Sequence, residues 1–556
     1  MSVDLLDRAE TGQPEPDRPP AAKSVDAGDE AGGGDRVSDD AGASVDHVAA
    51  SATRRVIRGA LILLSTQPVT WASSLLMVIF VPRLLDSRAL GEYQLAYSLA
   101  GVLLALLSLG VPAVLTRQIA SAPGTATATI STALTLQVGL GLVGATLALA
   151  LVPTFGLLPV STALLGVVLF GMVLTQGQNV LNAALTGFQS MGRFAWSNAV
   201  TTASSAVLAL GLLYLGFGAL GLAASGLAPL LLVTVFFWLR LGIGFDRAGV
   251  TRASLMRLAT MGLPFLGWDV LVRLRTEGEA LALGAMLSVE SVGWFAAALR
   301  VVAIPVFVPT LIVTPLMPAL SQIVGQRAAF AATVRRSFEL TLIVTVGVSA
   351  AIFAFAPVVP TILGWAPEYG SAVPIMRVLV WFFPLLSMGM VFGASLVALG
   401  EERKLLIANT VATMVQYAIM LATIPLTEAW LGNGGIGAAG ARVASEVVML
   451  AAAQLILPRG LVTLSMWLFA GRVLLAGGAL IGVVGAVLPL AEAMVPLPEL
   501  IQAGLVGAVG GLAYVAALFA LRTVRVSDVR LALGWLLTDY EQFGPESLVV
   551  EVTAQE

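Results

Sequence analysis

The sequence predicts an all-α polytopic membrane protein with fourteen transmembrane helices. Hydrophobic residues make up 58% of the chain and charged residues only 11%. The apolar residues are collected in fourteen long stretches between about residues 56 and 522. A helix needs roughly 20 apolar residues to cross the hydrocarbon core, whereas strands of a membrane barrel alternate over about 10 residues. The long, uninterrupted stretches therefore indicate helices.

Loop signals rich in glycine and proline separate the stretches and set their approximate ends. These signals are Pro82–Gly91, Pro123–Gly124, Pro153–Pro159, Gly364–Gly370, Asn433–Gly435 and Pro496–Pro498. With these boundaries, the predicted spans are 57–82, 92–114, 127–153, 160–185, 194–216, 218–241, 259–287, 291–316, 336–360, 373–399, 404–426, 434–457, 466–490 and 499–522.

The loop charges predict the topology, because cytoplasmic loops collect Lys and Arg. Basic residues are concentrated in every second loop, and the other set of loops carries only Arg83 and Arg88. Both termini are therefore predicted to be cytoplasmic. The alternation also supports the count, since one missed helix would invert the pattern downstream. We expect a multi-pass protein of the plasma (cytoplasmic) membrane.

Residues 1–53 are predicted to be a disordered acidic cytoplasmic tail. The first 50 residues contain twelve Asp or Glu and four Lys or Arg, with hardly any large apolar side chains to build a core. Residues 526–556 are predicted to be a second cytoplasmic tail with an amphipathic start. Cysteine is absent, and the single histidine, His47, lies in the first tail, so no metal site and no cofactor are expected.

An internal repeat predicts two pseudo-symmetric halves. Leu85–Ala96 recurs about two hundred residues later as Leu287–Ala298, with a glycine and an aromatic residue at matched positions. Chance similarity between two apolar segments is the alternative. Many transporters build a central path from repeated halves. The predicted domains are a six-helix lobe over 54–257, a second six-helix lobe over 258–458, and two additional helices over 459–525.

These segments also resemble a known family, that of the polysaccharide (O-antigen type) flippases of lipid-linked oligosaccharides. The motifs that carry the resemblance are Arg83-Leu-Leu, Gly91-x-Tyr93, Pro112 and Arg117 in the first half, and Met261-Gly-Leu-Pro264, Gly293-x-Phe295 and Ala298-x-Arg300 in the second. The family lies within the multidrug/oligosaccharidyl-lipid/polysaccharide exporter superfamily, which also holds toxin-extruding drug exporters and lipid II flippases. The resemblance covers residues 54–525.

The resemblance implies a transporter and not an enzyme. Its expected activity is to move a polyprenyl-(di)phosphate-linked oligosaccharide from the cytoplasmic to the outer leaflet by alternating access. The glycan would serve the assembly of cell-surface polysaccharide or of glycoprotein glycans. As partners we expect this substrate, membrane lipids, and glycosyltransferases or a polymerase of the same pathway, and no nucleic acid.

The seventh predicted span is unusual because it carries five charged residues. A charge at the bilayer centre costs about 2.5–3.5 kcal/mol on insertion scales. The five residues are Asp269, Arg273, Arg275, Glu277 and Glu279. At 100° per residue they leave one side of the helix free of charge, and that side is predicted to face lipid. Intrahelical ion pairs at i, i+4 spacing are one interpretation; we favour the other, a hydrated cavity between the lobes.

Arginines are the expected ligands of the substrate phosphate, because guanidinium binds phosphate bidentately and keeps its charge. The predicted substrate-binding residues are Arg273, Arg275, Arg300, Arg377 and Arg442, with the amides Gln178, Asn179 and Asn182 for sugar hydroxyls. Alternatives stay open: an intrahelical pair with Glu446 for Arg442, snorkelling for Arg377, and helix–helix contacts for the amides. The predicted coupling residues are Asp269, Glu277 and Glu279, with H⁺ or Na⁺ as the coupling ion.

Two other functions fit parts of the sequence. A drug or cation antiporter of the same fold would favour acidic residues for its cationic substrates, whereas five arginines are embedded in the predicted spans. A membrane glycosyltransferase or ligase using the same lipid donor would need a larger outer domain than the short outer loops provide.

Overall fold

The computed structural model describes residues 65–242, 244–494 and 498–524, apart from the side chains of Glu492 and Met494. All of these residues belong to one compact unit, Ile62–Glu556. The tails predicted over 1–53 and 526–556 lie outside the described residues, as does the beginning of the first predicted span.

The described residues form α-helices joined by short turns, and they contain no strand. Three 3-10 turns, Pro123–Thr125, Ile304–Val306 and Pro367–Ser371, lie between helices. The helices are α1 (65–84), α2 (Ser87–Ser108), α3 (Val111–Ser121), α4 (Ala126–Thr154), α5 (Thr162–Gly187), α6 (Met191–Tyr214), α7 (Gly218–Ala224), α8 (Leu227–Leu241), α9 (Arg252–Met286), α10 (Val289–Ala303), α11 (Phe307–Gln322), α12 (Arg327–Phe355), α13 (Val359–Leu363), α14 (Ala372–Leu379), α15 (Phe382–Ala398), α16 (Glu402–Leu431), α17 (Gly435–Ile456), α18 (Leu464–Met494) and α19 (Glu499–Ala520).

Thirteen helical segments within the described part of the chain are long and apolar enough to cross a membrane. A further helix, α1, lies at the position of the first predicted span. The all-α polytopic fold class is therefore confirmed. The count of fourteen and the cytoplasmic placement of both termini stay predictions.

Some spans that were predicted as single helices are broken. The second span divides between α2 and α3 at Leu109 and Gly110, whose φ angles are 47° and 67°. The eighth span divides at the 3-10 turn that contains Pro305, between α10 and α11. Proline lacks the backbone donor that a continuous helix needs. Pro305 thus lies at the interruption, about one helical turn after Arg300, whereas Pro315 lies within α11.

The internal repeat is present in the structure as a reciprocal contact between α2 and α10. A Cβ atom on Gly91 would collide with the carbonyl oxygen of Val289, and a Cβ atom on Gly293 would collide with that of Ser87. The two glycines are matched positions of the repeat, and so are Ser87 and Val289. The duplicated segments therefore cross in an equivalent way, and only glycine fits at each crossing.

Polar contacts join the two halves beside this crossing, on the predicted outer side. The Glu368 carboxylate accepts a hydrogen bond from the backbone N–H of Ser87, at the beginning of α2. The buried Tyr369 hydroxyl donates to the carbonyl oxygen of Leu85 at 3.1 Å. The halves are therefore in contact at this end of the bundle.

The last two helices, α18 and α19, pack on α12 in the second half. Gly477 of α18 lies against Val346, where a Cβ atom would come within 2.9 Å. The Tyr514 hydroxyl of α19 donates to the carbonyl oxygen of Ile343 at 2.6 Å. These contacts place the additional helices beside the second six-helix region; the predicted domain boundaries themselves stay predictions.

We expect Gly91→Ala and Gly293→Ala to destabilise the protein, because overpacking a close contact typically costs about 1–3 kcal/mol. The measurement is the thermal unfolding temperature of the purified protein in detergent. Gly389→Ala and Gly393→Ala on α15 are the controls, since a Cβ atom there meets open space. Unfolding at the wild-type temperature in both Gly91→Ala and Gly293→Ala would contradict the reciprocal contact.

Candidate functional site

The five charged residues of α9 that belong to the seventh predicted span divide between two sides of the helix. Arg275 and Glu279 contact α16 and α17 of the second half. Asp269, Arg273 and Glu277 face residues of the first half. The sequence predicted one broad polar face, and the structure gives its two sides different surroundings.

One side contains two buried ion pairs between helices. Arg275 pairs with Glu446 of α17 and donates to Asn409 Oδ1 of α16 at 3.0 Å. Arg442 donates to Glu279 Oε2 at 2.6 Å. Glu279 is fully buried and Glu446 is 4% exposed. Two arginines and two glutamates therefore neutralise each other away from water.

Neutral groups complete this arrangement. Gln416 donates to Glu279 Oε1 at 2.6 Å and accepts from Ser445 Oγ at 3.1 Å. The Arg442 guanidinium lies over the Phe382 ring, 4.5 Å from its centroid. We call the polar residues of this group the anchor cluster: Arg275, Glu279, Asn409, Gln416, Arg442, Ser445 and Glu446.

The ion pairs of the anchor cluster cross from helix to helix. Arg275 and Glu279 are four residues apart on α9, and Arg442 and Glu446 are four residues apart on α17. Each arginine nevertheless pairs with the glutamate of the other helix. This arrangement ties α9 to α17. The sequence left open an intrahelical pair between Arg442 and Glu446. In the structure, each of these two residues pairs with a residue of α9 instead.

The charge-free side of α9 does not simply face lipid. Gly278 lies against Tyr417, whose hydroxyl donates to the carbonyl oxygen of Leu274 at 2.7 Å. Leu271 is only 8% exposed. The prediction is wrong for this part of the helix, because α16 packs there. Nearer the beginning of α9, Leu263 is 51% exposed, as expected of a lipid-facing residue.

The other charged side of α9 faces α2. Arg273 and Glu277 form an intrahelical ion pair at 3.6 Å, and Ser98 Oγ donates to Glu277 Oε2 at 3.1 Å. A Cβ atom on Gly101 would lie 3.0 Å from the Glu277 side chain, so glycine makes room for it. The Arg273 side chain is 39% exposed and is therefore accessible to a ligand.

Cavity A, of about 640 Å³, lies among helices of the first half and is closed on one side by α9 and α10. Its volume is within the usual range for small-molecule sites. Arg273 and Arg300 line it, together with Tyr93 and Tyr97 of α2. The remaining polar lining consists of hydroxyl groups: Ser73, Ser74, Thr175, Thr201, Thr202, Ser205 and Ser225.

Arg300 is the less neutralised of the two cations in cavity A. Its side chain is half-buried, and among the described residues its guanidinium has no ion pair and no hydrogen bond. Arg273, by contrast, has Glu277 beside it. The rings of Tyr93 and Tyr97, stacked with centroids 5.8 Å apart, belong to the same lining. An anion is therefore the complementary ligand for this cavity.

Cavity B, of about 650 Å³, adjoins cavity A, since Leu104 and Arg273 line both. Asp269, Asn179 and Asn182 also line cavity B. The two cavities follow α2, α5 and α9 and together form a polar space with Arg273 at the junction. Cavities A and B, the polar spaces beside the seventh predicted span, thus lie on the same side of α9; that they are hydrated stays a prediction.

Two of the five predicted phosphate ligands, Arg273 and Arg300, line a cavity. Arg275 and Arg442 belong to the anchor cluster and line neither cavity A nor cavity B. Arg377 is exposed and lies over the Phe353 ring, 5.4 Å from its centroid. Its position outside both cavities agrees with snorkelling more than with substrate binding.

The predicted amides serve partly as contacts between helices. Gln178 is buried and donates to Thr201 Oγ1 of α6 at 3.2 Å. Asn182 lies 3.4 Å from Asn198 Oδ1 of α6, and it also lines cavity B with Asn179. Both interpretations that the sequence left open therefore have support. Gln178 makes a contact between helices, and Asn179 lines a cavity.

The hydroxyl lining and both tyrosines of cavity A were not among the site residues predicted from the sequence. Tyr93 stands in the repeat motif, so its position was a usable signal. The serines and threonines gave none, because such residues are common in transmembrane helices for packing alone.

Comparison with known proteins gives a family match over part of the chain. Residues 56–324, just under half of the chain, match the family described as polysaccharide biosynthesis protein. A search of curated proteins found no match to the sequence. The first of these results agrees with the family resemblance seen in the repeat motifs.

Three solved structures share this fold. The lipid II flippase MurJ, in an inward closed conformation, matches with a TM-score of 0.66 and 14% identity, covering 84% of this chain and 100% of that chain. An inward-facing MATE family multidrug resistance transporter matches with 0.58 and 19%, covering 71% and 97%. A MOP superfamily transporter from Pyrococcus furiosus matches with 0.51 and 18%, covering 76% and 96%. At these identities the shared property is the fold.

We expect Glu446→Ala to destabilise the protein by about 3–5 kcal/mol, because it leaves the Arg275 charge buried without its partner. Thermal unfolding in detergent measures the effect. The double replacement Arg275→Met with Glu446→Leu should recover part of the loss, since apolar residues can substitute for a buried pair.

The control for this comparison is Glu290→Ala, which removes a partner of Arg88 from a solvent-exposed pair at 3.8 Å. Exposed pairs contribute at most about 1 kcal/mol. Similar unfolding temperatures for Glu446→Ala and Glu290→Ala would show that the anchor cluster does not hold the helices together.

Proposed function

We propose that this chain, a member of the polysaccharide biosynthesis family with the fold of the MOP superfamily transporters, is a flippase of lipid-linked oligosaccharides in the plasma membrane. The proposed substrate carries its glycan on a polyprenyl (di)phosphate. The chain moves it from the cytoplasmic to the outer leaflet by alternating access, for cell-surface polysaccharide or glycoprotein glycan assembly. Glycosyltransferases or a polymerase of the same pathway are its proposed partners.

The observation that supports this proposal most is the combination of chemistry in cavity A. Two arginines face a space whose other polar groups are mainly hydroxyls and tyrosines. Guanidinium is suited to phosphate, and hydroxyl groups can exchange hydrogen bonds with sugar hydroxyls. A headgroup that joins a phosphate to a sugar requires both. The polyprenyl tail has no polar groups and can stay in lipid between helices.

To move this substrate, the protein has to shield its headgroup from the hydrocarbon core of the membrane. A phosphate that crossed the hydrocarbon without partners would lose its hydration at a very large cost in free energy. Arg300 offers a charge that no acidic group among the described residues neutralises, so a phosphate would find a partner there without displacing one. Cavity B, with Asn179 and Asn182, extends the polar lining for the rest of the headgroup.

Arg273 suggests how binding could be coupled to an ion. Its pair with Glu277 spans 3.6 Å, and Glu277 is held by one hydrogen bond from Ser98. A phosphate that recruits Arg273 would leave Glu277 without its cation, and uptake of H⁺ or Na⁺ would restore the balance of charge. Asp269 of cavity B is the second proposed coupling residue. Glu279 receives a different role, because it is already paired with Arg442 in the anchor cluster.

The alternative is a drug or cation antiporter, because a MATE family multidrug resistance transporter has a similar fold. A cationic substrate would be repelled by Arg273 and Arg300 in cavity A. Glu277 and Asp269 are the acidic groups that such a substrate would need, and Glu277 is already paired. The charges of the cavity therefore favour an anionic headgroup.

We expect Arg300→Ala and Arg273→Ala to reduce flipping by roughly 10–100-fold, since a hydrogen bond to a charged group contributes about 1.5–3 kcal/mol. The assay reconstitutes the protein in liposomes with a polyprenyl-diphosphate oligosaccharide that carries a fluorophore on the glycan. A membrane-impermeant quencher then reports the fraction that reaches the other leaflet.

Arg377→Ala is the matched control, because it removes an arginine of a predicted transmembrane span that lies outside both cavities. It should flip the substrate at the wild-type rate. A parallel assay offers a fluorescent organic cation in place of the glycan lipid. Transport of the cation without flipping of the glycan lipid would overturn the proposal in favour of the antiporter.

Glu277→Gln tests the coupling. It keeps the shape of the side chain and its contact with Ser98 but removes the charge, so flipping should continue and lose its response to an imposed pH or Na⁺ gradient. Rates are compared with and without each gradient in the same liposomes. An undiminished response in Glu277→Gln would assign the coupling elsewhere, with Asp269→Asn as the next variant.

A further inference from the structure

A third polar cavity lies far along the chain from the substrate residues, where α12, α18 and the end of α19 meet. Its volume is about 340 Å³, and it shares no lining residue with cavities A and B. Arg335, Arg472 and Arg522 line it, with Glu339 as the acidic residue of the lining. We call it the arginine pocket. Its lining carries two more positive than negative charges.

Among the described residues, the charges of the arginine pocket are only partly paired. Arg335 binds Glu339, with the Nε donating to Oε1 at 2.8 Å. Arg472 and Arg522 are exposed, and neither has an ion pair or a side-chain hydrogen bond among the described residues. Arg472 of α18 and Arg522, just after the end of α19, therefore line one space, whose acidic residue Glu339 is paired with Arg335. The pocket is suited to a phosphate, which can bind two such groups at once.

The wall of the pocket is apolar on the α18 side. Leu468 and Phe469 line it, and Leu468 is 58% exposed. Leu464, one helical turn earlier, is 74% exposed. A soluble phosphate would gain nothing from this surface, whereas an acyl chain attached to the phosphate would cover it. Ser465 and Thr523, which carry hydroxyl groups, also line the pocket and add to its polar lining.

The loop charges place this end of the bundle on the cytoplasmic side, where anionic lipids are found. Basic pockets between transmembrane helices on that side bind the phosphates of lipid headgroups. We propose that the arginine pocket binds the phosphate of an anionic membrane phospholipid, separately from the transported substrate. Arg472 and Arg522 hold the phosphate, and the acyl chain lies along Leu468 and Leu464 of α18. The lipid would thereby bridge α18 and the end of α19.

The test measures the thermal unfolding of the full chain in a neutral detergent during titration with short-chain phosphatidylglycerol. The wild type should gain stability in a saturable manner. In Arg472→Ala with Arg522→Ala, the half-saturating concentration should rise at least tenfold. Arg472→Lys with Arg522→Lys keeps the charges and loses the bidentate geometry, so it should show an intermediate increase.

Two control variants separate this site from other basic groups. Arg336→Ala removes an exposed arginine next to Arg335 on α12 that does not line the pocket, and it should bind like the wild type. Arg300→Ala removes one of the two arginines of cavity A and should also leave the titration unchanged. A titration that is lost in Arg300→Ala and kept in the Arg472/Arg522 variant would overturn the proposal and place the lipid in cavity A.

Two further ligands identify the source of the phosphate. Short-chain phosphatidylcholine, with no net charge, and glycerol phosphate, with no acyl chain, should both stabilise the protein much less than phosphatidylglycerol. Equal stabilisation by glycerol phosphate would show a site for a soluble anion. Equal titrations of wild type and Arg472→Ala with Arg522→Ala would show that the pocket is not the site.

Discussion

Charged side chains inside a bilayer have to be paired or hydrated, because each costs about 2.5–3.5 kcal/mol at the bilayer centre. Helix α9 carries five of them, and the rest of the structure is arranged around that constraint. Arg275 and Glu279 are paired with Glu446 and Arg442 on α17 in a buried group. Asp269 and Arg273 line polar cavities, and Glu277 pairs with Arg273. The same helix thus uses both available solutions, one on each side.

The two solutions have different mechanical consequences. Removing one partner of a buried ion pair strongly destabilises a protein. The ion pairs between α9 and α17 therefore hold these two helices in a fixed relation. Toward the first half, the side chains of α9 accept hydrogen bonds from Ser98 (to Glu277) and Gln118 (to Met261 Sδ), and α9 makes apolar contacts such as Gly284 with Leu95. Those contacts can rearrange at lower cost. A relative motion of the halves is therefore expected between α9 and the first half, where the cavities lie.

How far the sequence could predict this arrangement depends on the kind of information needed. The matched positions of Gly91 and Gly293 predicted a duplication, and the structure shows both glycines at the crossing of α2 and α10. The duplication could be predicted because it relates positions that are known from the sequence alone. The charges of α9 were visible for the same reason. The partners of these charges could not be predicted. By spacing alone, Arg275 could pair with Glu279 on its own helix as readily as with Glu446 on another helix. Only the packing of α16 and α17 decides between them.

The division of the site between the halves follows from these points. The cations of cavity A, Arg273 and Arg300, come from the second half of the chain, whereas the hydroxyl groups and tyrosines come from the first. A headgroup bound there would contact both halves at once. Because α9 is anchored to the second half, a motion between the halves would separate the arginines from the hydroxyl groups and weaken binding. Under the proposed function, such a site would hold the headgroup in one conformation and release it in another, which is the property that alternating access requires.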